Sequence, residues 1–434
     1  MKFFFPDSLD IVDPSFDFDT ETRSVTRVRQ RDDVYPHEIF SQPPYDGVLL
    51  SKAAVDGTSR GAGKYTLPQR HRLLRLGIRE FFRLDHVAWD TPLLTMGDCG
   101  AFSYVNEEAP PYTVGEVIDF YECCGFDTGV SIDHVILGYQ SEKIPSLPGF
   151  AESVGPWSRR QEITLSLAKD FLEEHKRRHA RFTPVGVAQG WSPSSYVRSV
   201  KTLQKIGYDH LAIGGLVPLK TSEIVEVLAA IKSELRPGIQ MHLFGVTRCE
   251  HIPTFADYGV TSFDSTSPLR QAFKDDKDNY YTPNGNYTAI RVPQVDGNMS
   301  LKRRIVAGVV RQQDARRLEL ECLSLLKEFD RGRVKIDDVL SSLAQYERIY
   351  DGKTDHSKVY RQMLQDQPWK ACPCEICKEL GIHVILFRGA ERNRRRGFHN
   401  LFVFESRMRQ FLDGNSQRNV KTRKGSRSTI GTNT

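Results

Sequence analysis

The sequence lacks the long apolar runs that cross a membrane. No stretch approaches the roughly 20 apolar residues that a spanning helix requires. Three Phe stand near the start of the chain, but Pro6 and Asp7 end this run, so the apolar segment of a signal peptide is missing as well. We therefore expect a protein that makes no use of the membrane and stays in the cytoplasm.

Two further absences narrow the class of protein. No Gly-x-Gly-x-x-Gly motif follows the first predicted strand, which argues against a dinucleotide-binding fold. The chain has 8 cysteines but no secretory signal, and this combination is typical of reduced thiols in the cytoplasm rather than of a disulfide framework.

Three of the cysteines lie close together, at Cys372, Cys374 and Cys377. Clustered thiols in such a chain bind metal more often than they form disulfides, and three sulfurs with one imidazole make a tetrahedral set that Zn²⁺ prefers. The fourth ligand is either His383, which interrupts an apolar run (residues 382–387) that reads as a buried strand, or His399, which follows an arginine-rich loop. A zinc with four protein ligands would be structural, so the chemistry would lie elsewhere.

Positive charge is concentrated at the end of the chain. Residues 388–434 contain 12 Arg or Lys and 3 Asp or Glu, a net charge of +9, so the other residues carry −4 of the total of +5. A one-sided basic region is typical of a polyanion partner such as nucleic acid, although a solvated charge run would look the same.

Seven short apolar runs alternate with amphipathic helical patterns and indicate parallel βα units. These runs are Gly47–Ser51, Pro92–Met96, Val130–Ile132, Val185–Ala188, His210–Ile213, Gln240–Phe244 and Val260–Phe263. A doubly wound sheet is the alternative, but an α/β fold of the (β/α)8 TIM barrel type fits the count better, with Tyr287–Val292 as the eighth strand.

Changes in composition set the predicted domain boundaries. We expect an N-terminal arm, a (β/α)8 barrel that carries the catalytic site, a helical segment, a C-terminal zinc-binding subdomain with the last helix, and a disordered basic tail. The corresponding residues are 1–42, 43–300, 301–365, 366–412 and 413–434.

Polar residues follow the predicted barrel strands where reactive groups of such barrels lie. Asp98, Asp133 and Asp264 each come at the end of a strand, and Gln189 and Gly214 follow two others. Any one of these aspartates alone could be a helix cap. Together they predict an enzyme that acts on a glycoside or a similar substrate, because glycosidic chemistry uses paired carboxylates.

Several of these segments together resemble the tRNA-guanine transglycosylase superfamily, over roughly residues 85 to 412. They are Gly97–Phe102, Val187–Gly190, Ile213–Leu216, Phe263–Arg270 and the cysteine triplet with His399-Asn400. The chain departs from the family where Cys99-Gly100-Ala101 replaces Ser-Gly-Gly and where His134 follows Asp133. The run from Gly381 to Asn400 is similar to the DNA-modifying branch of the superfamily, the DNA-guanine transglycosylases.

The resemblance implies roles for individual residues. Asp264 would be the nucleophile and Asp98 the general acid and base. The base would be bound by Asp133, Gln189, Gly190, Gly214, Gly215 and Leu216, with Phe102 and Phe244 stacking on its faces. Nucleic-acid phosphates would meet Arg270, Arg392, Arg394, Arg395 and Arg396. Structural zinc would be held by Cys372, Cys374, Cys377 and His399.

The implied activity is exchange of guanine in DNA for 7-cyano-7-deazaguanine (preQ0), by double displacement through a covalent enzyme–sugar intermediate. Expected partners are DNA, the deazaguanine, other proteins of a DNA modification and restriction gene cluster, and a second copy of the chain. Two alternatives stay open: a tRNA-guanine transglycosylase of the queuosine or archaeosine type, and a catalytically silent nucleic-acid-binding subunit. The presence of all three aspartates argues against the silent subunit.

Overall fold

The computed structural model describes residues 1–7, 9–58, 61–86, 89–141 and 150–425. The chain divides into two units. The barrel unit consists of Met1–Leu9, Tyr45–Thr266 and Arg407–Thr434, and the second unit consists of Asp10–Pro44 and Ser267–Ser406. Among the described helices, none combines the length and apolar character that crossing a membrane demands.

The barrel unit contains a closed barrel of parallel strands. In chain order they are β1 (Lys2–Pro6), β2 (Gly47–Ser51), β3 (Leu94–Asp98), β4 (Thr128–Val130), β5 (Thr183–Ala188), β6 (His210–Ile213), β7 (Gln240–Leu243) and β8 (Val260–Asp264). Each strand pairs with the next in the chain, and β1 closes the barrel by pairing with β8. This confirms the predicted (β/α)8 fold class.

From β2 onward helices follow the strands along the chain, with two of them between β2 and β3. They are α1 (Lys52–Asp56), α2 (Leu67–Phe81), α3 (Val114–Cys124), α4 (Phe150–Arg178), α5 (Pro193–Ile206), α6 (Thr221–Lys232) and α7 (Ile252–Asp257). Helix α3 begins at a capping box, in which the Thr113 hydroxyl accepts from the Glu116 amide and the Glu116 carboxylate accepts from the Thr113 amide. It ends at Gly125, whose φ of 70° suits a residue without a Cβ.

The predicted eighth strand and the predicted N-terminal arm were both wrong. Residues 2–6 form β1, with Phe3, Phe4 and Phe5 all buried. Phe4 points into the barrel with the core residues, while Phe3 stacks on Phe263 and Phe5 on Tyr45. A barrel strand that is buried on both faces shows no alternation of polar and apolar residues. At five residues this strand is also too short to be recognised from the sequence.

Close packing of α3 fixes the ends of β3 and β4. A Cβ on Gly97 or on Gly129 would lie 2.5 Å from the ring of Tyr121, so glycine at both positions lets this helix approach the sheet. The Tyr121 hydroxyl donates to the carbonyl of Val130 at 2.9 Å. These contacts fix the places where the chain leaves β3 at Asp98 and leaves β4 toward Asp133.

The second unit is mostly helical. Its helices are α8 (Ser267–Lys274), α9 (Met299–Val306), α10 (Gln312–Asp330), α11 (Ile336–Tyr350), α12 (Ser357–Asp366), α13 (Pro368–Ala371), α14 (Glu375–Leu380) and the first part of α15 (Gly389–Gly425). Its strands are β9 (Tyr280–Thr282), β10 (Gly285–Tyr287), β11 (Ile290–Arg291) and β12 (Leu386–Phe387).

Two of the predicted strands lie in this unit, and both are shorter than the sequence indicated. Within the predicted eighth strand, Ile290–Arg291 forms β11, which pairs in parallel with β12. Most of the apolar run 382–387 is not a strand, because Gly381–Ile385 forms a 3-10 helix before β12. The run is apolar because its residues are buried, and its sequence lacks the alternation of polar and apolar residues that marks a half-buried strand.

The arginine-rich segment is not an exposed loop. It lies in the first turns of α15, where Arg392, Arg395 and Arg396 are buried. Arg392 pairs with Glu21, and Arg395 pairs with Glu391 at 2.7 Å. The predicted phosphate contacts of these three arginines disagree with this placement, because the side chains are buried and their terminal nitrogens already donate to carboxylates and carbonyls of the same unit. Arg270 and Arg394 are only partly buried, and their assignment stays a prediction.

The last helix runs further than the sequence indicated. The sequence predicts its end at Leu412 and a disordered basic tail over residues 413–434, but the helical backbone of α15 continues to Gly425. Residues 426–434 of the predicted tail lie outside the described residues.

We predict that Arg396 stabilises the second unit rather than binding a ligand. Arg396→Ala would leave the carbonyls of Val384, Leu386 and Ala272 without their buried donor, at a cost of at least about 2 kcal/mol in the free energy of unfolding. The matched control is Arg394→Ala, which removes one bond to the Ile11 carbonyl and should cost under about 1 kcal/mol. Urea unfolding followed by circular dichroism measures both. Unchanged stability of Arg396→Ala would refute this role.

Candidate active site

The residues predicted to act on the substrate follow the carboxyl ends of the barrel strands. Asp98 ends β3, Asp264 ends β8, and Gln189 and Gly214 come directly after β5 and β6. Asp133 lies just past β4. Because all strands of the barrel are parallel, these residues share one mouth, as the sequence predicted.

Asp133 is held as a buried acceptor at this mouth. Its Oδ2 accepts from Gln189 Nε2 at 2.7 Å, and its Oδ1 accepts from the Cys99 thiol at 3.2 Å. The Tyr104 hydroxyl donates to Cys99 Sγ at 3.0 Å and to the Asp133 carbonyl at 3.1 Å. Burial raises the pKa of Asp133 to about 6, although the bonds from Cys99 and Gln189 favour its charged form.

Backbone contacts orient the Gln189 amide. Its Oε1 accepts from the Ile136 amide at 3.2 Å, which directs Nε2 toward Asp133. A Cβ on Gly214 would lie 2.1 Å from Gln189 Nε2. Gly215 has a φ of +75°, and a Cβ on it would lie 2.5 Å from the Ile136 carbonyl. Both glycines are therefore required by the amide and the backbone beside it, whether or not they also meet a base.

Gly190 and Leu216 have a structural reason to be present. A Cβ on Gly190 would lie 2.7 Å from the Tyr196 ring, so this glycine allows α5 to pack closely. The Leu216 side chain is fully buried, which leaves only its backbone to contact a ligand. Their predicted role in base binding stays a prediction.

Asp98 is the carboxyl group whose proton affinity is changed most. Its Oδ2 accepts from the Gly100 amide at 3.0 Å, and its carboxylate, the Cys99 thiol and the Asp133 carboxylate have oxygen and sulfur atoms within 4.8 Å of one another. Burial, followed by the negative charges of Asp133 and Asp264, raises the pKa of Asp98 to about 7. A carboxyl group with this pKa can both give and take a proton near neutral pH.

Asp264 is held by two donors on one oxygen. Its Oδ1 lies 3.2 Å from His242 Nε2 and 3.0 Å from the Gly245 amide nitrogen. Among the described residues, no donor is found for Oδ2. The carboxyl group is buried but not enclosed, with 8% of the residue exposed. This arrangement leaves one carboxylate oxygen available to a substrate at the mouth.

The two predicted stacking residues differ in exposure. Phe102 lies in the 3-10 helix Ala101–Tyr104 and is 52% exposed, so it is not a core aromatic. Phe244 is partly buried against the barrel core and makes an edge contact with the His242 ring, with centroids 4.9 Å apart. Stacking on a base stays a prediction for both.

The sequence reasoning missed His242, Cys99 and Tyr104. His242 is two residues before Phe244 on β7, and the alternation of a strand would have placed it on the same inner side. Cys99 was noted only as a departure from the family motif. Tyr104 carried no sequence signal, because only the folded chain brings it against Asp133.

The second unit contains a candidate metal site. His399 Nδ1 lies 3.6, 3.4 and 3.3 Å from the sulfurs of Cys372, Cys374 and Cys377. His399 Nε2 donates to the Tyr281 carbonyl at 2.8 Å, so the lone pair of Nδ1 faces the thiols. A tetrahedral ion with bonds of ~2.3 Å to sulfur and ~2.0 Å to nitrogen separates these atoms by roughly 3.6 Å, so the four residues fit a metal ion.

His383, the other histidine considered as a ligand, is not part of this group. Its Nε2 lies 3.5 Å from Asp19, and its ring contacts Phe18. The Tyr280 ring instead stacks on His399 with centroids 4.2 Å apart, and its hydroxyl lies 3.2 Å from Cys377 Sγ. These contacts orient His399 toward the thiols.

Comparison with known proteins finds a relative that matches nearly the whole chain and a family model that matches part of it. A DNA-guanine transglycosylase of Salmonella montevideo is 50% identical over 421 residues, which cover 96% of this chain and 99% of that protein. A family model described as queuine tRNA-ribosyltransferase matches residues 151–323.

More distant relatives match a smaller part of the chain. A tRNA-guanine(15) transglycosylase of Thermococcus kodakarensis is 28% identical over 51% of this chain and 34% of its own length. One of Methanocaldococcus jannaschii is 30% identical over 46% of this chain and 28% of its own. The chain therefore belongs to the tRNA-guanine transglycosylase superfamily, in the branch of the DNA-guanine transglycosylases, and is a guanine transglycosylase.

Proposed function

We propose that this protein exchanges guanine in DNA for 7-cyano-7-deazaguanine, through a covalent intermediate between Asp264 and the sugar. The observation that carries the proposal is the separation of roles among three carboxyl groups at one barrel mouth. Asp264 has one oxygen with no donor in the described part of the chain, Asp98 has a pKa of about 7, and Asp133 is a buried acceptor. DNA as the substrate rests on the 50% identity to the Salmonella enzyme over nearly the whole chain.

In the first displacement, Asp264 attacks C1′ of the target nucleotide. The new bond joins C1′ to a carboxylate oxygen, the bond from C1′ to N9 breaks, and the electron pair leaves with guanine. Protonated Asp98 gives its proton to the departing base. Its raised pKa keeps a large share of the group protonated near neutral pH.

In the second displacement, the incoming deazaguanine reverses these events. Asp98, now a carboxylate, takes the proton from N9 of the new base, and N9 attacks C1′. The bond between C1′ and Asp264 breaks, and its electron pair returns to the carboxylate. No strand is cut, since the phosphodiester bonds take no part.

Asp133 and Gln189 supply the recognition of guanine-like bases. The Asp133 carboxylate accepts two hydrogen bonds, which suits N1–H and the exocyclic amine that guanine and 7-cyano-7-deazaguanine share. A base that lacks this pair of donors would displace water from the remaining lone pairs of the carboxylate without replacing its hydrogen bonds. Reaching this mouth requires the target nucleotide to leave the base stack, because C1′ is not accessible to a buried carboxylate inside a duplex.

The metal that we propose for the cysteine group is zinc, held by Cys372, Cys374, Cys377 and His399. Three thiolates and one imidazole match the preference of Zn²⁺, and four protein ligands leave no position for substrate. The zinc would stabilise the second unit and take no part in the exchange.

Three features rest on the charge pattern of the sequence and on the family resemblance. We propose that Arg270 and Arg394 contact phosphates, that the enzyme acts within a DNA modification and restriction system with other proteins of that system, and that two copies of the chain associate. The second candidate substrate is tRNA, favoured by the match of residues 151–323 to the queuine tRNA-ribosyltransferase model.

The substrate prediction is tested with purified protein, 7-cyano-7-deazaguanine, and either duplex DNA or unmodified tRNA. We expect the modified deoxynucleoside in digested DNA, detected by mass spectrometry, and no modified ribonucleoside. Asp264→Asn should abolish the product, because an amide cannot form the ester. Modified tRNA alone would overturn the choice of substrate, and an active Asp264→Asn would overturn the mechanism.

The pH dependence follows from Asp98. The rate of guanine release in a single turnover should fall by about tenfold per pH unit above pH 7, as the group loses the proton that the leaving base needs. Asp98→Asn should show a low rate without this alkaline limb. A wild-type rate that stays constant between about pH 6 and pH 9 would contradict the assignment of Asp98.

The metal prediction is tested by Cys377→Ser. We expect loss of zinc, measured by mass spectrometry of the metal, and a fall in melting temperature of at least about 5 °C, because metal binding stabilises the unit that holds it. Cys123→Ser is the control, since this cysteine is exposed and outside the group. Full zinc content in Cys377→Ser would disprove the ligand set.

A further inference from the structure

We propose that His242 is a positioning residue that selects which oxygen of Asp264 attacks the sugar. His242 and the Gly245 amide hold Oδ1, so Oδ2 is the oxygen that forms the bond to C1′. This inference rests on the proposed function, because it assumes that Asp264 is the nucleophile. It goes further by assigning a role to a side chain that the sequence did not single out.

The contact with Asp264 defines which ring nitrogen of His242 must carry a proton. A carboxylate oxygen can only accept, so Nε2 of His242, 3.2 Å from Asp264 Oδ1, is the donor. In the neutral ring Nδ1 then accepts, and the Ser262 hydroxyl, 2.9 Å away, is its donor. Ser262 and Asp264 lie two residues apart on β8, while His242 lies on the neighbouring strand β7. The three groups therefore form a chain in one direction, from Ser262 to His242 to Asp264.

Packing restricts the ring to this orientation. His242 is 3% exposed, and its ring makes edge contacts with Phe4, at a centroid distance of 5.9 Å, and with Phe244, at 4.9 Å. The only titratable or charged group in contact with the imidazole, among the described residues, is Asp264 itself. A ring with this little freedom can fix the rotation of the carboxylate it contacts.

Fixing the carboxylate has a consequence for both displacements. In the first, a lone pair of Oδ2 forms the bond to C1′ while the bond to N9 breaks, and Oδ1 becomes the carbonyl oxygen of the ester. In the second, the bond between Oδ2 and C1′ breaks and the carboxylate charge returns, where His242 and Gly245 can stabilise it through Oδ1. Loss of His242 would let the carboxylate rotate and would remove one of these two donors.

A cavity of about 280 Å³ lies beside the His242 ring, toward the amino ends of the barrel strands. His242 and Ser262 line it together with residues from the amino ends of the strands, among them Lys2, Thr183 and His210. The cavity is thus reached from the end of the barrel opposite to Asp98, Asp133 and Asp264. Replacing His242 by alanine would join the space of the imidazole to this cavity, and a small azole could then enter it.

The test is chemical rescue of His242→Ala. We expect kcat to fall roughly 10- to 100-fold, with KM for the base changed less than about twofold, because the nucleophile is misplaced while base recognition is intact. Free imidazole should raise the kcat of His242→Ala by at least about tenfold. His242→Gln, whose side-chain amide can still donate, should retain more activity than His242→Ala.

Two controls separate positioning from folding. His210→Ala removes a histidine that lines the same cavity without contact to Asp264, and it should keep full activity with no response to imidazole. Ser262→Ala should show a smaller loss of kcat than His242→Ala. All variants should give the circular dichroism spectrum of the wild type.

The outcomes distinguish this inference from the function on which it rests. An Asp264→Asn variant that stays active would refute the proposed mechanism and also the inference that depends on it. An inactive Asp264→Asn together with a fully active His242→Ala overturns the role of His242 alone. A folded but slow His242→Ala that neither imidazole nor the Gln variant improves also overturns it, since a purely structural defect would behave in this way.

Discussion

The site depends on the closure of a parallel barrel around three carboxyl groups that repel one another. Closure gathers the ends of β3, β4 and β8, and the same packing that buries these ends removes water from the carboxylates. The result is a pKa of about 7 for Asp98 and about 6 for Asp133. Desolvation alone would make such a cluster costly, so each group needs its own partners, and those partners decide what each can do.

The partners are unequal in a way that suits the chemistry. Asp133 receives donors on both oxygens, from Gln189 and Cys99, and is held as a fixed acceptor. Asp264 receives two donors on the same oxygen, which leaves the other oxygen for substrate. Asp98 receives a backbone amide and keeps a proton affinity near neutrality. Three identical functional groups therefore acquire three different properties from their surroundings.

In the second unit, most of the buried arginines are paired with carboxylates. Arg388 and Arg392 both contact Glu21, and Arg395 contacts Glu391. Arg396 pairs with no carboxylate among the described residues, and it donates to backbone carbonyls and to the side chain of Asn393. Arg388, Arg392, Arg395 and Arg396, which contributed to the predicted surface for nucleic acid, thus make internal contacts. A charge count along the chain does not distinguish a buried helix face from an exposed one.

The sequence by itself determined the seven strands from Gly47 onward, the alternation that implies a barrel, and the cysteine triplet, because these depend on local pattern and spacing. The choice of His399 over His383 followed from the family resemblance. It also placed Asp98, Asp133 and Asp264 at strand ends. Only the tertiary structure decided that residues 2–6 close the barrel, that His242 contacts Asp264, and that Arg392, Arg395 and Arg396 are buried. The physical reason is that these features arise from contacts between residues distant in the chain, for which no local periodicity gives a signal.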